Sequence, residues 1–183
     1  RNETESGICL NYTGSRENEH CTVHNHSMFG AAILARTAKH LPNPEYLKLA
    51  KSIMDYSCSK QLPNGAWWYA EELNHHWIDN FHSGYNIDSL KCYIEKSGDR
   101  RYDENLKLGL DFLINTFFED SGRPKYYHSR TYPVDSQCAS QAIETLANFS
   151  DYDERALPQA LKVARWTIDN MQDPNGFFYY REY

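Results

Sequence analysis

The sequence has no apolar run approaching the ~20 residues of a membrane-spanning helix, so no membrane partner is expected. Nor does it cluster Lys and Arg. With 19 basic against 25 acidic side chains its net charge is −6, which argues against a nucleic-acid partner. Cysteine is scarce and unpaired in pattern: Cys9, Cys21, Cys58, Cys92 and Cys138 form no CxxC, and their odd number argues against a disulfide framework. A reducing, cytoplasmic setting is therefore expected. No secretory leader is visible, although a sequence opening at Arg1 rather than methionine says little on that point. Four Asn-x-Ser/Thr sequons start at Asn2, Asn11, Asn25 and Asn148. Asn25 and Asn148 fall within or at the end of expected helices, so these are read as chance matches. No stretch alternates at period two over a useful length, which excludes a substantial sheet.

What is present is 183 residues with 40% hydrophobic and 24% charged side chains, enough for one ordinary folded domain. Aromatics reach 14%, led by fourteen tyrosines, and they recur in a pattern. A glycine followed by aromatics appears as "GICLNY" from Gly7, "GAWWYA" from Gly65, "GRPKYYH" from Gly122 and "GFFYYR" from Gly176. A helix-like segment follows each of the first three. "DNFHSGYNIDSL" (79–90) aligns without a gap on "DSQCASQAIETL" (135–146), pairing Asp79 with Asp135 and Asp88 with Glu144. "VHNHSMFGAAIL" (23–34) fits the same frame more loosely, with His26 on His82.

Amphipathic helices lie between these corners. Residues 44–61 place Tyr46, Leu49, Ile53 and Tyr56 on one side, and 102–118 do so with Leu106, Leu110, Leu113 and Phe117. Residues 156–172 use Leu157, Leu161, Ala164, Ile168 and Met171. The expectation is an all-α protein of three helical hairpins, with repeats near 7–60, 65–118 and 122–172 in one domain spanning 1–183. Hairpins of this length must stack to bury their apolar faces. Segments after the aromatic loops are rich in small residues and suit an inner layer; those before them suit an outer one.

"QLPNGAW" (61–67) has the form Q-x-x-x-G-x-W, and "QDPNGFF" (172–178) repeats it with Phe for Trp. With the helices before them these resemble the repeat motif of α/α-toroid proteins, the terpenoid-cyclase and prenyltransferase-like superfamily. The resemblance implies that the glutamine and the ring fasten neighbouring hairpins, with Trp67 and Phe178 as structural packing. "WIDNFHSGYNIDSL" with "GRPKYYHSRTYPVDSQCASQAIETL" is similar to a prokaryotic toroid group associated with polysaccharide biosynthesis. Six hairpins close a common toroid and only three are counted here, so either the chain is part or half of a longer toroid or copies self-associate through exposed hairpin flanks. The Asp-x-Asp-Asp cluster of alkene-protonating cyclases is absent, and the zinc ligands of protein prenyltransferases cannot be mapped.

Seven of the eight histidines (His20, His24, His26, His75, His76, His82 and His128) lie in or just after the aromatic loops. Stacked hairpins would bring these loops to one rim, at helix N-termini that favour anions. Asp79 and Asp135 sit where an N-cap belongs, and capping competes with catalysis as their role. As catalytic residues they would serve as acid or base, with His82 or His128 assisting. His26, Trp77, Arg130, Tyr132, Asp88 and Glu144 are the candidate substrate contacts: rings stack on sugars, and Arg grips carboxylates bidentately. "EHCTVHNH" (19–26) invites a metal reading through His20, Cys21, His24 and His26, but no second ligand pair of known spacing exists, so neither metal nor cofactor is expected. Three functions stay open: a carbohydrate-active or carbohydrate-binding toroid protein, a terpenoid or prenyl-transfer enzyme, and a non-catalytic scaffold.

Overall fold

In the computed structural model residues 1–12 and 22–183 are described, and His20 and Cys21 lie outside them. Six α-helices are present among these residues, together with two short strand pairs. The chain forms two compact units. The first takes Arg1–Trp77 with Tyr85–Leu110, the second Ile78–Gly84 with Asp111–Tyr183.

In the first unit β1 (Asn2–Thr4) and β2 (Gly7–Cys9) pair antiparallel, with Glu3 opposite Ile8. Helix α1 (His24–Ala38) follows without a side-chain cap at Val23. Helix α2 (Pro44–Ser59) is better announced: the Asn43 side chain accepts from the Glu45 amide at 3.0 Å, and Pro44 occupies the first turn, where its missing N–H costs nothing. Helix α3 (Asn80–Ser97) begins in the second unit and ends beside Gly98, whose N–H returns to the Ile94 carbonyl at 2.8 Å. Helix α4 (Asp103–Thr116) carries Leu106 and Leu110, which close this core with Met28, Ile53, Ile87 and Tyr93. Each such side chain contributes about 1.5–3 kcal/mol through burial.

The second unit is built on β3 (Val134–Asp135), α5 (Ser136–Asn148), α6 (Ala156–Met171) and β4 (Arg181–Glu182). Strand β4 pairs with β3, placing Arg181 opposite Asp135. Leu113, Phe117, Leu146 and Phe149 are fully buried, and Val134 clusters with Trp166 and Met171.

The α-hairpin pattern agrees with the sequence spacing, and three details do not. The expected core stripe of α6 is not its buried face: Leu157, Leu161 and Ile168 are 47%, 63% and 49% exposed. Of that stripe Met171 is buried, but beside Ala156, Ala160, Val163, Trp166 and Thr167. This helix carries two apolar stripes, and the one holding the large Trp166 ring takes the core. Phe178, expected to pack like Trp67, is 45% exposed, whereas Trp67 is 3% exposed and its indole N–H donates to the Ser57 carbonyl at 2.7 Å. The strand pairs, only two or three residues long, are too short to leave a period-two signature.

The corner glycine motif works through backbone contact. Gly65 stands at φ 90° with its Cα against the Leu108 carbonyl. The Gln61 side chain donates to the Gly65 and Asn105 backbone carbonyls, both at 2.9 Å, and its oxygen accepts from Asn105 Nδ2 at 2.7 Å. Glutamine thus fastens the end of α2 to α4.

Candidate active site

Asp79 and Asp135 occupy equivalent places, and both cap helices. Asp79 Oδ1 accepts from the His82 amide at 2.9 Å at the start of α3, and Asp135 Oδ1 from the Cys138 amide at 2.8 Å at the start of α5. Both carboxylates are buried, 2% and 1% exposed. Their second oxygens are also engaged. Asp79 Oδ2 lies 2.7 Å from His82 Nδ1, and Asp135 Oδ2 accepts from Arg181 Nη2 at 3.0 Å. The two corners therefore share one plan: a buried carboxylate, one oxygen on the helix amide, the other on a basic side chain that reaches the surface.

A carboxylate can only accept, so the His82 Nδ1 carries the proton and the basic lone pair of the neutral ring sits on Nε2. His128 is held nearby in the chain's hydrogen-bonding pattern. Its amide donates to the Ile78 carbonyl at 3.2 Å, and its ring Nδ1 lies 3.3 Å from the same oxygen. The segment before it is tied to the start of α3 by the Asn80 amide, which donates to the Tyr126 carbonyl at 2.9 Å.

Tyr126 joins the two corners electrostatically. Burial pushes its phenol up to about 12, and the charges of Asp79 and Asp135 both add to that rise. Its ring packs edge-on to Phe81 and under the Arg181 guanidinium, 5.6 Å away in each case. Burial also pushes the Cys138 thiol up, reinforced by Asp135, so it is inert packing rather than a nucleophile.

The substrate-contact candidates divide between the units. In the second, the Arg130 guanidinium lies 4.6 Å over the Tyr127 ring, and Tyr132, 42% exposed, meets Arg123 through its hydroxyl at 3.2 Å. Glu144 faces outward on α5. In the first, Asp88 is half-buried on α3, Trp77 stacks on Tyr69 at 4.6 Å, and His26 meets Tyr12 edge-on at 5.5 Å. His82 and His128 thus belong to one unit and His26 to the other.

The first unit holds a histidine–carboxylate pair of its own. His24, 1% exposed, places Nε2 at 2.9 Å from Glu71, and its Nδ1 is buried without a hydrogen-bond partner. The His24 bond holds the Glu71 carboxyl below its ordinary range, and the Lys60 ammonium 3.8 Å away adds to this. Among the described residues, no group of three His, Cys, Asp or Glu is arranged to hold a metal ion. Sequence reasoning missed Arg181 and Glu71, and it offered Tyr126 only as one of several rings able to stack on sugar. Arg181 stands 46 positions from its partner, and nothing local signals that pairing.

No family model and no curated protein matches the chain. Solved structures do. Cellobiose 2-epimerase from Bacillus thermoamylovorans superposes with a TM-score of 0.74 at 12% identity, over 92% of this chain and 48% of the other. An inactive variant of the α-1,6-mannanase of Salegentibacter, in complex with α-1,6-mannotriose, gives 0.68 at 15% identity over 97% and 50%. An unsaturated glucuronyl hydrolase specific for heparin gives 0.68 at 11% identity over 85% and 48%. The fold is that of an α/α toroid. The chain spans about half the length of the toroid chains it matches, and at these identities the likeness establishes architecture. Among the described residues no helix is long and apolar enough to cross a membrane.

Proposed function

We propose that this chain is a carbohydrate-processing α/α-toroid protein in which His82, oriented by Asp79, exchanges a proton with an oligosaccharide or its attacking water. The observation that carries the reading is the 2.7 Å bond between a buried carboxylate and a ring that stays partly open, with side chains 1% and 22% exposed. Asp79 has spent both oxygens, so it acts on the imidazole and not on substrate. The imidazole is the group a ligand meets, and such a positioned proton carrier contributes about 10²–10⁴-fold. Arg181, Tyr126 and Arg130 supply a cationic, aromatic surround suited to sugar rings and acidic sugars. Solved neighbours of the same fold, an α-1,6-mannanase with α-1,6-mannotriose bound and a glucuronyl hydrolase specific for heparin, support this class over terpenoid chemistry. A role in polysaccharide biosynthesis, a cytoplasmic setting and self-association belong to the same proposal as its finer parts.

The test is product chromatography with α-1,6-mannotriose, cellobiose and an unsaturated glucuronyl disaccharide. The expected result is turnover of at least one, lost by about 10²-fold or more in His82→Gln with an unchanged melting temperature. Neither turnover nor binding of any of these sugars would overturn the reading. A second reading, a glycan-binding module without turnover, is favoured by one observation: both aspartates serve as caps. Saturable binding with no product in the wild type selects it.

A further inference from the structure

Lysine and arginine form no basic run along the sequence, yet the first unit gathers them at one end. Arg36 lies in the last turn of α1, Lys39 caps that helix and His40 follows it. Lys96, 60 positions after Arg36, stands in the last turn of α3. With Glu95 these four line a hollow of about 430 Å³, at the far end of α1 from His24. That volume falls within the range of small-molecule pockets, about 300–1,000 Å³. Both helices that wall it belong to this chain.

All five lining side chains are ionisable, and their charges do not cancel. Glu95 is answered by Lys91, 3.5 Å away. Arg36, Lys39 and Lys96 pair with no acid among the described residues, in a chain whose net charge is −6. A cation in the last turn meets the negative end of a helix dipole, and Arg36 and Lys96 each do so. Lys39, past the end of α1, is charge beyond that need. The Arg36 guanidinium also reaches the Cys92 thiol, on which the charge of Lys96 acts as well. Half-buried Cys92 is therefore a reporter built in beside the hollow.

We infer that this hollow binds a monosaccharide-sized ligand carrying a phosphate or sulfate group. A tetrahedral oxyanion offers three terminal oxygens to the three fixed cations, where a carboxylate offers two. The Arg36 fork takes two of those oxygens at once, and Lys39 and Lys96 act as point charges. Ionised Glu95 only accepts, so hydroxyls on the body of the ligand are its partners. Walls made of ionisable side chains suit such a hydroxyl-rich body and not a hydrocarbon. The volume holds one anionic group with the sugar that bears it, not a track along a polyanion. Nothing in this inference depends on proton transfer at His82.

The test is isothermal titration calorimetry of the full 183-residue chain with glucose 6-phosphate, glucose 6-sulfate, glucose, inorganic phosphate and heparin. Saturable binding of one or both charged sugars is expected, and the two arms tell phosphate from sulfate. Glucose should give no binding, and inorganic phosphate should bind about tenfold more weakly or worse. Arg36→Gln, Lys39→Gln and Lys96→Gln should each weaken the complex about fivefold, and bound ligand should slow alkylation of Cys92 by iodoacetamide. Absence of binding by both charged sugars overturns the inference, as does affinity that survives the three substitutions combined. Inorganic phosphate or heparin binding as tightly as the charged sugars overturns the stated ligand. Lower melting temperatures in Arg36→Gln and Lys96→Gln with unchanged affinity would assign these cations to the helix ends alone, which also overturns it.

Discussion

Replacing Gly65 by alanine separates two costs that the corner motif combines. At φ 90° an alanine enters left-handed backbone, a strain of about 1–2 kcal/mol. Its Cβ would also fall closer than 3.0 Å to the Leu108 carbonyl, which is helix backbone and cannot swing aside. Helix α4 must then lift, loosening the Gln61–Asn105 pair of hydrogen bonds at about 1 kcal/mol each and parting Gly109 from the Trp67 ring. The sum is about 3–5 kcal/mol, in the range reserved for a named structural fault. Gly98→Ala isolates the first cost, because Gly98 stands at φ 76° with nothing within 4 Å. Urea unfolding followed by circular dichroism reads both variants; their unfolding free energies should differ by about 2–3 kcal/mol, seen as separated midpoints at an unchanged slope. Equal losses in the two variants would refute the argument that this glycine is there for contact.

Three further outcomes follow from burial and charge. Glu71 has a depressed carboxyl pKa, so its bond to His24 adds stability above about pH 4.3, the unfolded value, and loses it as pH falls through the folded one; wild type and Glu71→Gln, apart at pH 7 in thermal melts, should converge below that pH. Tyr56, Tyr93 and Tyr126 are each pushed up to about 12, so their stabilisation holds below about pH 10 and disappears as pH rises toward 12; absorbance at the tyrosinate band should show a late-ionising group that shrinks in Tyr126→Phe. Burial raises the thiols of Cys58 and Cys138, and Cys9 is fully enclosed, so half-buried Cys92 should be the first of the four described cysteines alkylated by iodoacetamide in the native state, as read by peptide mass.

The helices were legible because their apolar spacing repeats with the glycine corners, and the two aspartate caps because they fall at the same frame in aligned segments. Residue spacing could not rank the two apolar stripes of α6, since that depends on which side of the helix Val134, distant in sequence, packs against. It misjudged Phe178 for a related reason. The Gln-Gly-aromatic motif reports that a corner is built for a neighbour, not that the neighbour is there. The site was half legible: Asp79 and His82 are three residues apart, so one helical turn suffices to pair them, whereas Arg181 reaches Asp135 only through the β3–β4 pairing of the distal chain.

The central claim, that His82 is the reacting group and buried Asp79 its support, is met most directly by turnover measured side by side for wild type, His82→Gln and Asp135→Asn on whichever sugar the panel identifies. The account predicts that His82→Gln loses about 10²-fold or more in kcat while Asp135→Asn, whose amide still caps α5, stays within about fivefold of wild type. Full activity in His82→Gln would contradict it.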